Sequence, residues 1–165
     1  MVIGKNVMSA TFEELRVLKA SEEIADSIWK RVVQWDDFAK DVVGKQLAKA
    51  VDSIGANIAE SFGRFHFGEK IHFLYYARGS LFETKYWLNR VRERSLMKDE
   101  EVRSYASQLT NLAKQLNTFS KSLKTVRATE QTNLKTLREP SAEYMAQEDF
   151  PDMLFDENDL KWLSI

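Results

Sequence analysis

Cysteine is absent from this 165-residue chain. That excludes disulfides, thiol nucleophiles and thiolate-based zinc sites, and it suits a reducing compartment. Proline occurs twice and glycine six times, too few turn residues for a many-stranded sandwich and in keeping with long helices. The segment Met1-Val2-Ile3-Gly4-Lys5-Asn6-Val7 lacks the apolar core of a signal peptide. No apolar run approaches the roughly 20 residues of a membrane span. The expectation is a cytoplasmic protein with no membrane partner. Phosphate-cradling loops, dinucleotide fingerprints and nucleophile elbows are also missing.

Histidine is nearly as scarce, with only His66 and His72. Glu69-Lys70-Ile71-His72 has the Glu-x-x-His spacing of a carboxylate-bridged metal pair, but such a site needs two of these motifs and two further inward glutamates. His66 falls in the preceding loop, so no second motif exists. Asp36 and Asp37 lie in a loop, where helix capping explains them. No catalytic residue, metal ligand or cofactor is expected, and the chain is not expected to be an enzyme.

What the chain does contain is apolar residues (44%, with 12% aromatic) and charge of both signs, a net −1. The balance is uneven. Residues 140–165 carry seven acids against Lys161 alone, a net −6, which leaves +5 on the remainder. A basic body with an acidic tail points to a polyanion partner, or to an ordinary solvated surface.

Periodicity predicts an all-α protein with four helices. Thr11-Phe12-Glu13-Glu14 has capping-box spacing, and Phe12, Leu15, Leu18, Ala25, Ile28 and Val32 follow at three- and four-residue steps, broken by Glu22. A second helix carries Val43, Leu47, Ala50, Ile54 and Ile58 and stops near Gly63, where a left-handed glycine is expected. A third, from about Glu69 to Leu96, has the seam Leu74, Ala77, Leu81, Thr84, Leu88 and Val91. The fourth repeats Val102, Tyr105, Leu109, Leu112, Leu116, Phe119, Leu123 and Val126. A sustained 3.5-residue repeat implies left-handed supercoiled packing, hence an antiparallel up-down-up-down four-helix bundle. Leu134 and Leu137 prolong the last helix, and Pro140 disfavours helix at Glu139. The predicted division is an arm at 1–10, the bundle at 11–139, and an acidic-aromatic tail at 140–165, flexible or docked on a partner.

The segment Ser53-Ile54-Gly55-Ala56-Asn57-Ile58-Ala59-Glu60-Ser61-Phe62-Gly63-Arg64 resembles the S-I-x-x-N-I-A-E-G-x-G-R core of the four-helix-bundle proteins encoded in intervening sequences of bacterial 23S rRNA genes. Phe73-Leu74-Tyr75-Tyr76-Ala77-Arg78-Gly79-Ser80-Leu81-Phe82-Glu83-Thr84 is similar to the F-L-x-x-A-x-G-S-L-x-E-T segment of that family. The likeness spans roughly residues 11–127. Ser61 stands where the family usually has glycine, and Ala48-Lys49 where an arginine pair is common. The accessory proteins of diversity-generating retroelements are related to this family. The resemblance implies a ring-shaped homopentamer, and possible partnership with RNA or DNA and with a reverse transcriptase.

Within these motifs, Gly55 and Gly79 are expected at close helix approaches, since glycine inside a helix costs about 1 kcal/mol relative to alanine. Ser53, Asn57, Glu60 and Gly63 are expected to pin structure. Asn57 and Glu60 are expected to tie down loop amides or reach a neighbouring subunit. Tyr75, Tyr76, Phe82, Tyr86 and Trp87 lie largely off the third seam, which implies wide core packing, subunit contact or base stacking.

Basic residues form stripes. Arg78, Lys85 and Arg92 are seven apart, with Arg90, Arg94 and Lys98 near the end of the third helix. No acid occurs from Val102 to Thr129, where Arg103, Lys114, Lys121, Lys124 and Arg127 lie. Such stripes neutralise phosphates in a salt-sensitive, sequence-independent manner. The leading expectation is a non-catalytic accessory protein binding nucleic acid. The alternative is a structural or protein-interaction homo-oligomer with no nucleic-acid role.

Overall fold

A computed structural model describes residues 3–135 and 153–165, with side chains for 15–129 and 153–165. Among the described residues every regular element is helical and no strand occurs. Helix α1 spans Ile3–Val32. After a turn at Trp35, Asp36 caps the one-turn helix Asp37–Ala39, its Oδ1 accepting from the Ala39 amide at 2.9 Å. The chain continues through a π-helical turn, Lys40–Gly44, into α2, Lys45–Phe62. Helices α3, Phe67–Glu93, and α4, Asp99–Lys135, follow. A short α5, Glu157–Ser164, closes the described chain.

Helix α1 packs on α2 and α4, α2 on α3, and α3 on α4, while α5 lies against α4. One apolar cluster runs through all of them. The expected seam of α3 (Leu74, Ala77, Leu81, Thr84, Leu88, Val91) is completely buried, as are Val43, Leu47, Ala50, Ile54 and Ile58 ahead of and within α2. On α4 Val102, Tyr105, Leu109, Leu112, Leu116 and Phe119 follow suit, whereas Leu123 and Val126 at the end of the expected seam are half-buried. Burying each such leucine or isoleucine contributes about 1.5–3 kcal/mol, so these seams dominate the stability of the fold.

Several expectations are corrected. Helix α1 starts at Ile3, upstream of Thr11. No proline interrupts residues 3–10, and extending an existing helix is far cheaper than nucleating one. The side chains of the Thr11–Glu14 box and of Phe12 lie outside the described residues, as do Leu137, Pro140 and the tail up to 152. The core face of α1 is Val17, Ser21, Ile24, Ile28 and Val32, whereas Leu15 is 60% exposed. Leu18, Glu22 and Ala25 instead line a groove beside α2. Glu22 therefore interrupts nothing.

Gly63 caps α2 at φ −71°, in the right-handed region, so no left-handed residue is needed there. That conformation occurs after α3, at Ser95 with φ 54°. The Leu96 amide reaches the Val91 carbonyl and the Ser95 amide the Arg92 carbonyl, both at 3.0 Å. These are the paired bonds of a Schellman ending, and Leu96 packs against the core behind them.

Glycine is favoured at Gly55, where a methyl would lie 3.0 Å from Ser21 Oγ of α1, and more strictly at Gly44, where it would lie 2.7 Å from Val32 Cγ1. At Gly79 a methyl would meet nothing within 4 Å. The expected close approach at that residue does not exist.

Candidate nucleic-acid interface

The motif residues of α2 serve the helix itself and its contact with α3. Ser53 Oγ donates to the Lys49 carbonyl at 2.7 Å. Asn57 Nδ2 donates to the Ser53 carbonyl at 2.8 Å and to Ser80 Oγ of α3 at 3.4 Å. Asn57 thus bridges two helices rather than tying down loop amides. Glu60 pairs with Arg64 one turn on, and the Arg64 guanidinium lies 4.6 Å from the centre of the Phe73 ring.

The basic residues fall into distinct environments. On α3, Arg78 is half-buried: its Nη2 donates to Asp159 Oδ2 of α5 at 2.9 Å, and its guanidinium lies over Phe82 at 4.7 Å and Phe155 at 5.6 Å. Lys85 is only 1% exposed and its Nζ is without a hydrogen-bond partner. It is no surface contact for a phosphate, contrary to the expectation from its seven-residue spacing. The cause is that α3 buries two adjacent positions, Thr84 and Lys85, and so is covered on more than its seam. Burial, and then the charge of Arg92, push the Lys85 ammonium below its ordinary pKa.

Arg92 is engaged by Glu93 at 3.2 Å, and Arg90 lies 5.8 Å from the centre of Tyr86. Arg94 and Lys98 are exposed at the α3–α4 turn. On α4, Arg103 is exposed with a loose 3.7 Å contact to Asp99. Lys114 and Lys121 are exposed and seven residues apart. Lys124 and Arg127 are half-buried, and Arg127 lies 4.6 Å from the centre of the Phe67 ring. The open basic surface is therefore the α3–α4 turn together with the outer edge of α4.

Sequence reasoning missed the clamp that seats the C-terminal segment. Asn117 of α4 accepts from the Phe155 amide at 2.9 Å and donates to the Phe155 carbonyl at 2.8 Å. Leu154, Phe155 and Leu163 are buried. Phe155 stacks on Phe82 with centroids 6.0 Å apart at 21°, and Trp162 lies tilted against it at 5.3 Å and 31°. Asp156 and Asp159 form a reciprocal capping box at the start of α5. The Asp-x-x-Asp spacing ahead of Leu160 was a legible signal for this helix. Asn117 gave none, since a polar residue on a long helix has no default partner.

Between α1 and α2 lies an open groove of about 500 Å³, lined by Ser21, Glu22, Asp26, Asp52 and Gly55 among others. Burial, and then the Asp26 charge, raise the Asp52 pKa. An acid-lined groove repels a polyanion, so this groove is no part of a phosphate-binding surface. Among the described residues no helix is long and apolar enough to cross a membrane.

A family model for the 23S rRNA-intervening sequence protein matches residues 13–118. The match runs from α1 into α4 and leaves α5 outside. No curated protein matches the chain significantly.

Proposed function

The chain belongs to the 23S rRNA-intervening sequence protein family, and from that premise we propose a non-catalytic accessory protein that binds RNA or DNA through the outer edge of α4. One observation carries the reading: Lys114 and Lys121 are exposed on a helix with no acid from Val102 to Thr129. A charged edge of this kind binds phosphates regardless of sequence. In this reading the four long helices run up-down-up-down, consistent with the cycle of contacts α1–α2–α3–α4–α1. In this proposal the protein acts as a homo-oligomer, a pentamer as the family resemblance implies, and works beside a reverse transcriptase.

A second reading, an assembly module without nucleic acid, draws on exposed aromatics. Trp29, Phe38, Tyr76 and Tyr86 are all more than half exposed, which suits subunit contact.

The deciding experiment is a salt titration against single- and double-stranded probes with the wild type and Lys114→Gln/Lys121→Gln. Each lost phosphate contact should reduce the slope of log affinity against log salt by about one. An unchanged slope and affinity would remove α4 as the interface. Light scattering on the same samples gives the subunit number.

A further inference from the structure

The contacts that hold α5 are of the kinds that hold a single-stranded nucleic acid. Arg78 has a carboxylate oxygen of Asp159 at 2.9 Å, the position a phosphate oxygen takes on a guanidinium. Phe82 has the Trp162 indole beside it at 5.3 Å, tilted by 31°, in the place a base takes on an aromatic platform. Asn117 reads the Phe155 backbone through one acceptor and one donor, the pair of groups by which an amide side chain also reads a base edge. An anion, a flat ring and an amide-reading side chain thus converge where α5 crosses α3 and α4.

The charge distribution agrees. Residues 140–165 carry a net −6 while the rest of the chain carries +5. Seventeen residues, 136–152, join α4 to the docked segment. Trp162 is 42% exposed, so the stacked ring sits at the rim of the contact, where a competitor gains first access.

Building on the nucleic-acid reading above, we propose that α5 is a built-in mimic of single-stranded nucleic acid: Asp159 takes the place of a phosphate on Arg78 and Trp162 the place of a base on Phe82. The chain's own C-terminal segment thereby closes a single-strand site on α3. Displacement of α5 opens it. A duplex keeps its bases stacked internally and gains little from Phe82, so the site prefers unpaired strands.

The test keeps the chain at full length. Asp159→Asn/Phe155→Ala/Trp162→Ala removes both mimicking groups and the Phe155 ring that also covers Phe82, without shortening the protein, and circular dichroism checks that helix content is retained. Anisotropy of a labelled single-stranded RNA of about twenty nucleotides, at about 50 mM salt, gives the affinity. The released variant should bind roughly tenfold more tightly, because occupancy by the tail lowers apparent affinity by the fraction of sites left open. Adding Phe82→Ala to the released variant should abolish most of that gain. In the wild type, adding RNA should speed hydrogen exchange at residues 153–165.

Equal affinity for the wild type and the released variant overturns the mimic and leaves the α4 reading standing. So does a gain that survives Phe82→Ala, or one shared equally by duplex. Absence of binding in every form overturns both.

Discussion

Lys85→Met is the sharpest test of the packing described above. The side chain is 1% exposed and its Nζ has no hydrogen-bond partner. Methionine keeps most of the buried stem and removes the amine. A buried donor without a partner costs about 1–3 kcal/mol, and the variant should recover a sum of that order near neutral pH. At about 2–4 °C per kcal/mol for a chain of this size, the melting temperature should rise by several degrees.

The effect has a definite sign with pH. Folding lowers the Lys85 pKa from its usual 10.5, so between the folded and unfolded values the unfolded chain binds more protons. Wild-type stability from this group is therefore least below the folded pKa and rises as pH climbs through that window towards 10.5. The advantage of Lys85→Met is then largest near neutrality and shrinks at high pH. Urea unfolding followed by far-UV circular dichroism, near pH 7 and again near pH 10.5, measures both. Lower stability of the variant at neutral pH would refute the reasoning, as would an advantage that does not change with pH. Lys85→Arg, which cannot shed its charge, should be destabilised.

The remaining predictions concern backbone and charge. Gly79→Ala should stabilise by about 0.5–1 kcal/mol, because the added methyl meets open space. Ser95→Gly should do the same by relieving the φ of 54°, and one series of thermal melts compares both with the wild type. Glu101 accepts from Arg31 Nε at 2.9 Å and from the Lys98 amide at 3.0 Å. These bonds hold its pKa below the usual 4.5. Their stabilisation is complete above that value and lost as pH falls through the lowered one. Glu101→Gln should cost about 0.5–1 kcal/mol at neutral pH and progressively less in acid, as read by denaturation at several pH values.

Where one apolar face met one partner, the sequence was legible. The α3 seam, the α4 seam as far as Phe119, and Val43 to Ile58 are buried residue by residue at the 3–4 spacing. It was misread on α1, where two apolar strips lie side by side. Ile28 and Val32 of the expected stripe are buried, but towards the amino end Val17, Ser21 and Ile24 take the core in place of Leu15, Leu18 and Ala25, with Ser21 set against Gly55 at close range. Lys85 was misassigned for a related reason: spacing gives the edge of a helix, but only the neighbouring chain decides whether that edge is covered. The tail showed its apolar and acidic interleaving plainly. Its seat depends on Asn117, Arg78 and Phe82 converging from two helices, a tertiary fact that no local pattern encodes. The family match likewise ends at residue 118, one position after that asparagine.

The π-helical turn at Lys40–Gly44, closed by the Lys45 amide on the Lys40 carbonyl, solves a problem of phase. Ala39, Val43 and Leu47 are all buried, each four residues after the last. In a uniform α-helix a step of four overshoots a full turn by about 40°, so two such steps would carry Ala39 about 80° away from Leu47. The wider turn takes up part of that rotation and keeps the three side chains facing one core. In effect the segment is an α-helix with one residue spliced in. Removing a residue there would regularise the hydrogen-bond ladder yet swing Ala39 about 100° relative to Leu47, away from the core. Chain length in this turn is thus set by core alignment rather than by helix regularity.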